Sequence, residues 1–284
     1  MNSDTKIVVT MTSWRKRMPE LGMMIYRFMT SQTVRPDIFY LWLAEAEFPN
    51  KELDLPKDLL AVCRYFNVVI KWCEYNDYCF KRWYVYPDHY TDMVISIDDD
   101  LMIPPSLIET ARKHIGERNI SYNLFADLTF EYDFTEPNFK KYSSVITTSV
   151  RNRFLGCSMI CPYTFPLECM SDEALRIRRM YCNKEDQSFI KGFMVANHTP
   201  ISSLPFKFKD CVIPRFSHNG ATCKSFLSKH DGIYVWHYQL YLILSRFPNV
   251  LKAWCDEFPN FPVHLFEEYG ADNIVQMLKS YNAL

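Results

Sequence analysis

Between Lys6 and Met11 the chain is rich in apolar, β-branched residues, and this run stops at the polar pair Thr12-Ser13. Leu21, Ile25, Phe28 and Met29 then recur at helical spacing, predicting a helix over Leu21–Thr30 that ends before Arg35-Pro36-Asp37. The pattern repeats. Ile38–Leu43 reads as a strand, Pro56–Tyr65 as a helix, Asn67–Trp72 as a strand and Phe80–Tyr86 as a short helix. Met93-Val94-Ile95-Ser96-Ile97 is the clearest buried strand, and a helix over Ser106–Ile115 follows Pro104-Pro105. Strands alternating with helices predict an α/β fold of Rossmann type, a mostly parallel sheet flanked by helices.

The second half is less regular. Leu124–Tyr132, Val145–Arg151 and Phe154–Cys161 read as strands. Ser171–Tyr181, Glu185–Met194, Tyr234–Phe247 and Asn273–Ser280 read as helices. No low-complexity linker or repeat divides the chain, so residues 1–284 are expected to form one domain. Its first half spans 1–115, and an irregular α+β part spans 116–284.

Composition narrows the function classes. A net charge of -1 gives no reason to expect a nucleic-acid partner. No apolar run approaches the roughly 20 residues of a spanning helix, and the N-terminus lacks a secretory pattern. The expected location is cytoplasmic, with at most peripheral contact at the inner face of a membrane. The 10 cysteines include no Cys-x-x-Cys pair and read as small core residues in a reducing compartment rather than as a zinc site or disulfide framework. Aromatic residues make up 16%, which suits either a Phe/Tyr-rich core or a sugar-binding surface.

The chemistry concentrates where the buried strand runs into Asp98-Asp99-Asp100. Three adjacent carboxylates repel one another, and burying them without counter-charge is costly. A hard divalent cation, Mn²⁺ or Mg²⁺, relieves that conflict and also attracts phosphate oxygens. In parallel α/β sheets, ligands bind beyond the carboxyl ends of the strands, where this triplet lies. A plainly solvated acidic loop is the alternative. Lys81-Arg82-Trp83 precedes the same strand; Lys81 is the preferred cation for diphosphate charge, against a helix that simply shows its cations to water.

These segments together resemble the GT-A-fold glycosyltransferases, particularly bacterial family-2-like enzymes of the Asp-x-Asp type. The resemblance rests on Ile7 to Trp14 with Arg15 and Arg17, Gln32-Thr33, Pro36-Asp37, Leu41-Trp42-Leu43, Lys81-Arg82-Trp83 and Ile95 to Asp100. It covers roughly the first hundred residues. It implies that Asp98 and Asp100 hold the metal on a nucleotide-sugar diphosphate, with Asp98 or Asp99 also available to the ribose. It further implies Thr10, Thr12, Ser13 and Arg15 near the nucleotide, with Glu45 a candidate base contact. Asp186, with Glu185 as alternate, becomes the general base, and Gly156 lets the backbone approach donor or acceptor. His218 and His230 become candidates for a further metal ligand; His237, between Trp236 and Tyr238, reads as packed.

The expected activity is therefore metal-dependent transfer of a sugar, hexosyl transfer foremost, from a nucleotide-diphosphate donor to a glycan or lipid-linked acceptor, with inversion at the anomeric carbon favoured by the single candidate base and retention the open alternative. Two rivals are a nucleotidyltransferase and a non-catalytic nucleotide-sugar or glycan-binding module. The first usually needs a Gly-rich loop after the first strand, and Thr12-Ser13-Trp14-Arg15 has no glycine.

Overall fold

The computed structural model describes residues 4–134, 140–141, 147–184, 186–213, 229–230 and 232–284. A seven-stranded sheet organises them. Its strands are β1 (Ile7–Thr12), β2 (Ile38–Ala44), β3 (Val69–Cys73), β4 (Met93–Ile97), β5 (Ser121–Phe125), β6 (Ser158–Ile160) and β7 (Ile201–Phe206). In these labels the spatial order is β3-β2-β1-β4-β6-β5-β7. Pairings are parallel except at β6, which runs against both β4 and β5. This is the mostly parallel sheet flanked by helices that the sequence predicts, and strands from both halves of the chain build it.

Each face of the sheet has its own core. On one side Ile7, Val9 and Met11 of β1 pack with α1 (Met18–Ser31), α2 (Lys57–Phe66) and α3 (Leu107–Arg112). On the other, Val8 joins a core built from a 3-10 segment, Tyr78–Val85, and the C-terminal helices. Those helices are α4 (Asp172–Tyr181), α5 (Gln187–Ala196), α6 (Val235–Leu244), α7 (Pro248–Glu257), α8 (Val263–Tyr269) and α9 (Ala271–Ser280). Apolar residues surround α6, as suits a helix buried among helices. No helix among the described residues is long and apolar enough to cross a membrane.

Several boundaries differ from the sequence reading. Asn67 does not begin β3: it caps α2 in the left-handed region at φ 55°, a conformation asparagine tolerates. The strand expected over Leu124–Tyr132 breaks after Phe125, where Ala126–Leu128 makes a 3-10 turn. Of Val145–Arg151, residues 145–146 lie outside the described set, and Ser149 makes only an isolated bridge to Ile201. Tyr78–Val85 winds as a 3-10 helix, and the strand over Phe154–Cys161 shrinks to β6. Of the sheet strands and α-helices named above, β7, α7 and α8 went unread. β7 carries Ser202, Ser203 and Pro205 and lies at the sheet edge, the place where a proline's missing N–H costs no ladder bond.

Of the cysteines, Cys63, Cys73, Cys157, Cys161, Cys169, Cys182 and Cys211 are buried. His237 is fully buried against Trp236 and Phe261, as its aromatic neighbours predict.

Candidate active site

β4 lies beside β1 at the centre of the sheet, so the triplet emerges next to the loop that leaves β1. Each aspartate meets a different partner. Asp98 takes Nη1 of Arg82 at 2.5 Å, Asp99 accepts from the Ser13 hydroxyl at 2.5 Å, and Asp100 takes Nη2 of Arg17 at 2.8 Å. Arg17 and Arg82 are buried, whereas the Asp98 and Asp100 side chains keep 38% and 29% exposure. Buried cations thus face half-open carboxylates.

This arrangement divides the three acids. Burial opposes Asp98's charge, yet Arg82, with help from a hydrogen bond to Cys157, holds its carboxyl below the usual range. Burial pushes Asp99 up to about 6 against the pull of Ser13, with Asp100 adding repulsion. Burial also raises Asp100, and Asp98 adds to the effect.

Arg82 is the hub. It comes from the 3-10 segment, whose main chain is fastened to β1 by the Thr10 hydroxyl, donating to the Arg82 carbonyl at 2.8 Å. The guanidinium touches Asp98, the Ser96 hydroxyl at 3.3 Å and the Cys79 carbonyl at 3.0 Å. Its Nε lies 3.4 Å from Oδ2 of Asp186. Although burial opposes its charge, Asp98 and Asp186 keep Arg82 protonated, with its pKa well above the usual value. Gly156 makes room: a Cβ there would sit 3.2 Å from Nη2 of Arg82.

Asp186 caps α5 by position but not by side chain. Its residue is 1% exposed, and Oδ2 also accepts from the indole N–H of Trp83 at 2.7 Å. Upstream, the buried Arg178 of α4 donates to the carbonyls of Cys182 and Asn183 at 3.2 Å each, fixing the approach to Asp186. Arg178 is itself paired with Asp77, which also binds Arg179 and the Tyr84 hydroxyl. One buried carboxylate therefore ties the 3-10 segment carrying Arg82 to the helix that precedes Asp186.

The remaining candidates divide. Thr10 and Thr12 make backbone ties, Thr12 donating to the Trp42 carbonyl at 2.9 Å. Arg15 donates to the Glu47 carbonyl at 2.9 Å and lies over the Phe48 ring, steadying the loop after β2. Glu45, in that loop, pairs with Lys51 at 3.1 Å. Lys81 is buried and donates to the Asn76 side chain at 3.1 Å; the cations on the triplet are its neighbour Arg82 and, from the loop after β1, Arg17. Burial lowers the Lys81 pKa. His230 meets the Tyr269 hydroxyl at 3.0 Å among C-terminal aromatics. Glu185 and His218 lie outside the described residues. Among the described residues, no three His, Cys, Asp or Glu side chains cluster in a way that would hold a metal by themselves.

Sequence reasoning missed the parts played by Arg17, Trp83, Cys157 and Asp77. The signal for Arg17 was a second arginine in the loop after β1; Trp83 and Cys157 carried none beyond adjacency to Arg82 and Gly156.

No family model matches this chain, and neither does any curated protein sequence. Among solved structures, S. aureus TarS 1-349 is similar over 98% of this chain and 91% of that chain, at 11% identity and a TM-score of 0.44.

Proposed function

We propose that this protein is a glycosyltransferase that moves a sugar from a nucleoside-diphosphate donor to a glycan or lipid-linked acceptor, with inversion at the anomeric carbon. The observation that carries the reading is that a single buried guanidinium, that of Arg82, touches both Asp98 and Asp186. The acidic triplet and a separate carboxylate thereby lie one side chain apart, which supports a displacement that stabilises a leaving group at one end and takes a proton at the other.

The donor set suits a hard divalent cation such as Mn²⁺ or Mg²⁺: Asp98 and Asp100 are oxygen ligands that remain half-open. When bound, it would supply charge stabilisation for the departing diphosphate. Arg82 and Arg17 hold the carboxylates apart and in place. Asp186 accepts the proton of the attacking acceptor hydroxyl as the new glycosidic bond forms and the donor's C–O bond to the diphosphate breaks.

The test is release of nucleoside diphosphate from a panel of UDP- and GDP-sugars in the presence of Mn²⁺. Turnover that disappears with EDTA supports the proposal. Metal-dependent binding without release points instead to a binding module, and release of pyrophosphate from a nucleoside triphosphate to a nucleotidyltransferase.

A further inference from the structure

The two oxygens of Asp186 have unequal surroundings. Oδ2 accepts from Trp83 Nε1 at 2.7 Å and faces Arg82 Nε at 3.4 Å. Oδ1 takes no hydrogen bond among the described residues, in a side chain that is 2% exposed. Trp83 is itself fully buried, with its ring against Phe154 and Phe165.

We infer that Trp83 is a positioning residue for the proposed reaction, gripping Oδ2 so that Oδ1 is the oxygen that takes the acceptor's proton. This rests on the proposed function and deepens it. A carboxylate at a helix start rotates about its own side chain; an indole N–H on one oxygen and a guanidinium beside it remove that freedom. The grip also fixes which lone pairs are committed, since an ionised carboxylate only accepts. A misplacement of a reacting group by about 1 Å is worth roughly 10²-fold in rate. The role of Trp83 is thus to hold that distance, not to touch substrate.

Trp83→Phe removes the N–H while leaving a buried ring. The expected result is a kcat lower by roughly 10²-fold with donor KM unchanged. In an Asp186→Asn background the same substitution should have no further effect on kcat, because the grip then has nothing to position. A Trp83→Phe enzyme with wild-type kcat overturns the inference, as does a loss in the double variant that multiplies the two single losses. A second arm does not need turnover. In ¹⁵N-tryptophan-labelled protein, the Trp83 indole resonance, assigned by its loss in Trp83→Phe, should move upfield in Asp186→Asn. An unmoved resonance shows that the grip does not exist. If the wild type releases no nucleoside diphosphate from any donor while the resonance moves, the grip stands but the catalytic role falls with the proposed function.

Discussion

Gly156 borders the guanidinium of Arg82 so closely that a Cβ on it would lie 3.2 Å from Nη2 and 3.5 Å from Cζ. The guanidinium is boxed in by Asp98, Ser96 and Cys79 and has little room to retreat. Gly156→Ala should therefore displace it, lowering stability by about 1–3 kcal/mol, the usual cost of overpacking. Thermal unfolding measures this. An unchanged Tm, with unchanged affinity for a metal-loaded nucleoside diphosphate, would show that Arg82 has slack the geometry does not reveal.

Asp77 tests the tie between the 3-10 segment and α4. Its carboxylate is buried, and although burial opposes its charge, Arg179, Arg178 and Tyr84 hold its pKa below the usual range. Asp77→Asn leaves Arg178, fully buried, without its counter-charge. Breaking a buried pair from one side typically costs about 3–5 kcal/mol, readable by urea denaturation. Because the folded pKa is depressed, this stabilisation is present above the unfolded value near 4 and is lost as pH falls through the folded one. The gap between wild type and variant should accordingly narrow at acid pH.

Lys191 titrates with the opposite sense. It is buried on α5 with its ammonium on the Val150 carbonyl, and burial lowers its pKa to about 7 despite the distant pull of Glu257. The unfolded chain keeps the proton until about 10.4, so between these values unfolding takes up a proton. The penalty of burying the charge is complete below pH 7 and is relieved as pH rises toward about 10. Lys191→Met should flatten this rise in stability from pH 7 upward. A variant whose pH-stability curve parallels that of wild type would contradict the shift.

Much of the sheet was legible in the sequence, for a physical reason. β1, β2 and β4 lie inside the sheet with core or partly buried residues on both faces, so they read as near-continuous apolar runs ending in polar turns. The triplet stood out because its strand leads straight into three acids. β7 was illegible because an edge strand accepts Ser202, Ser203 and Pro205, which look like a loop. The choice between Lys81 and Arg82 was illegible too. Adjacent residues on a 3-10 turn point about a third of a turn apart, and no pattern in the sequence says which one meets β4. The approach of Asp186 to Asp98 is purely tertiary, created by a guanidinium that both acids share.

The division of labour between the two acidic sites gives a direct comparison. Asp100→Ala should abolish Mn²⁺-dependent binding of the nucleoside diphosphate, measured by calorimetry. Asp186→Asn should leave that binding intact and reduce sugar transfer by about 10²–10⁴-fold, the range for loss of a general base. Lost nucleotide binding in Asp186→Asn would place that residue in the donor site instead.

The most direct measurement is a crystal soaked with Mn²⁺ and a nucleoside-diphosphate sugar, read by anomalous scattering at a wavelength where manganese contributes. One strong peak is expected beside Asp98 and Asp100, with diphosphate density on its far side and Arg82 between it and Asp186. Manganese and nucleotide bound together elsewhere on the protein, with this corner empty, would contradict the proposed function.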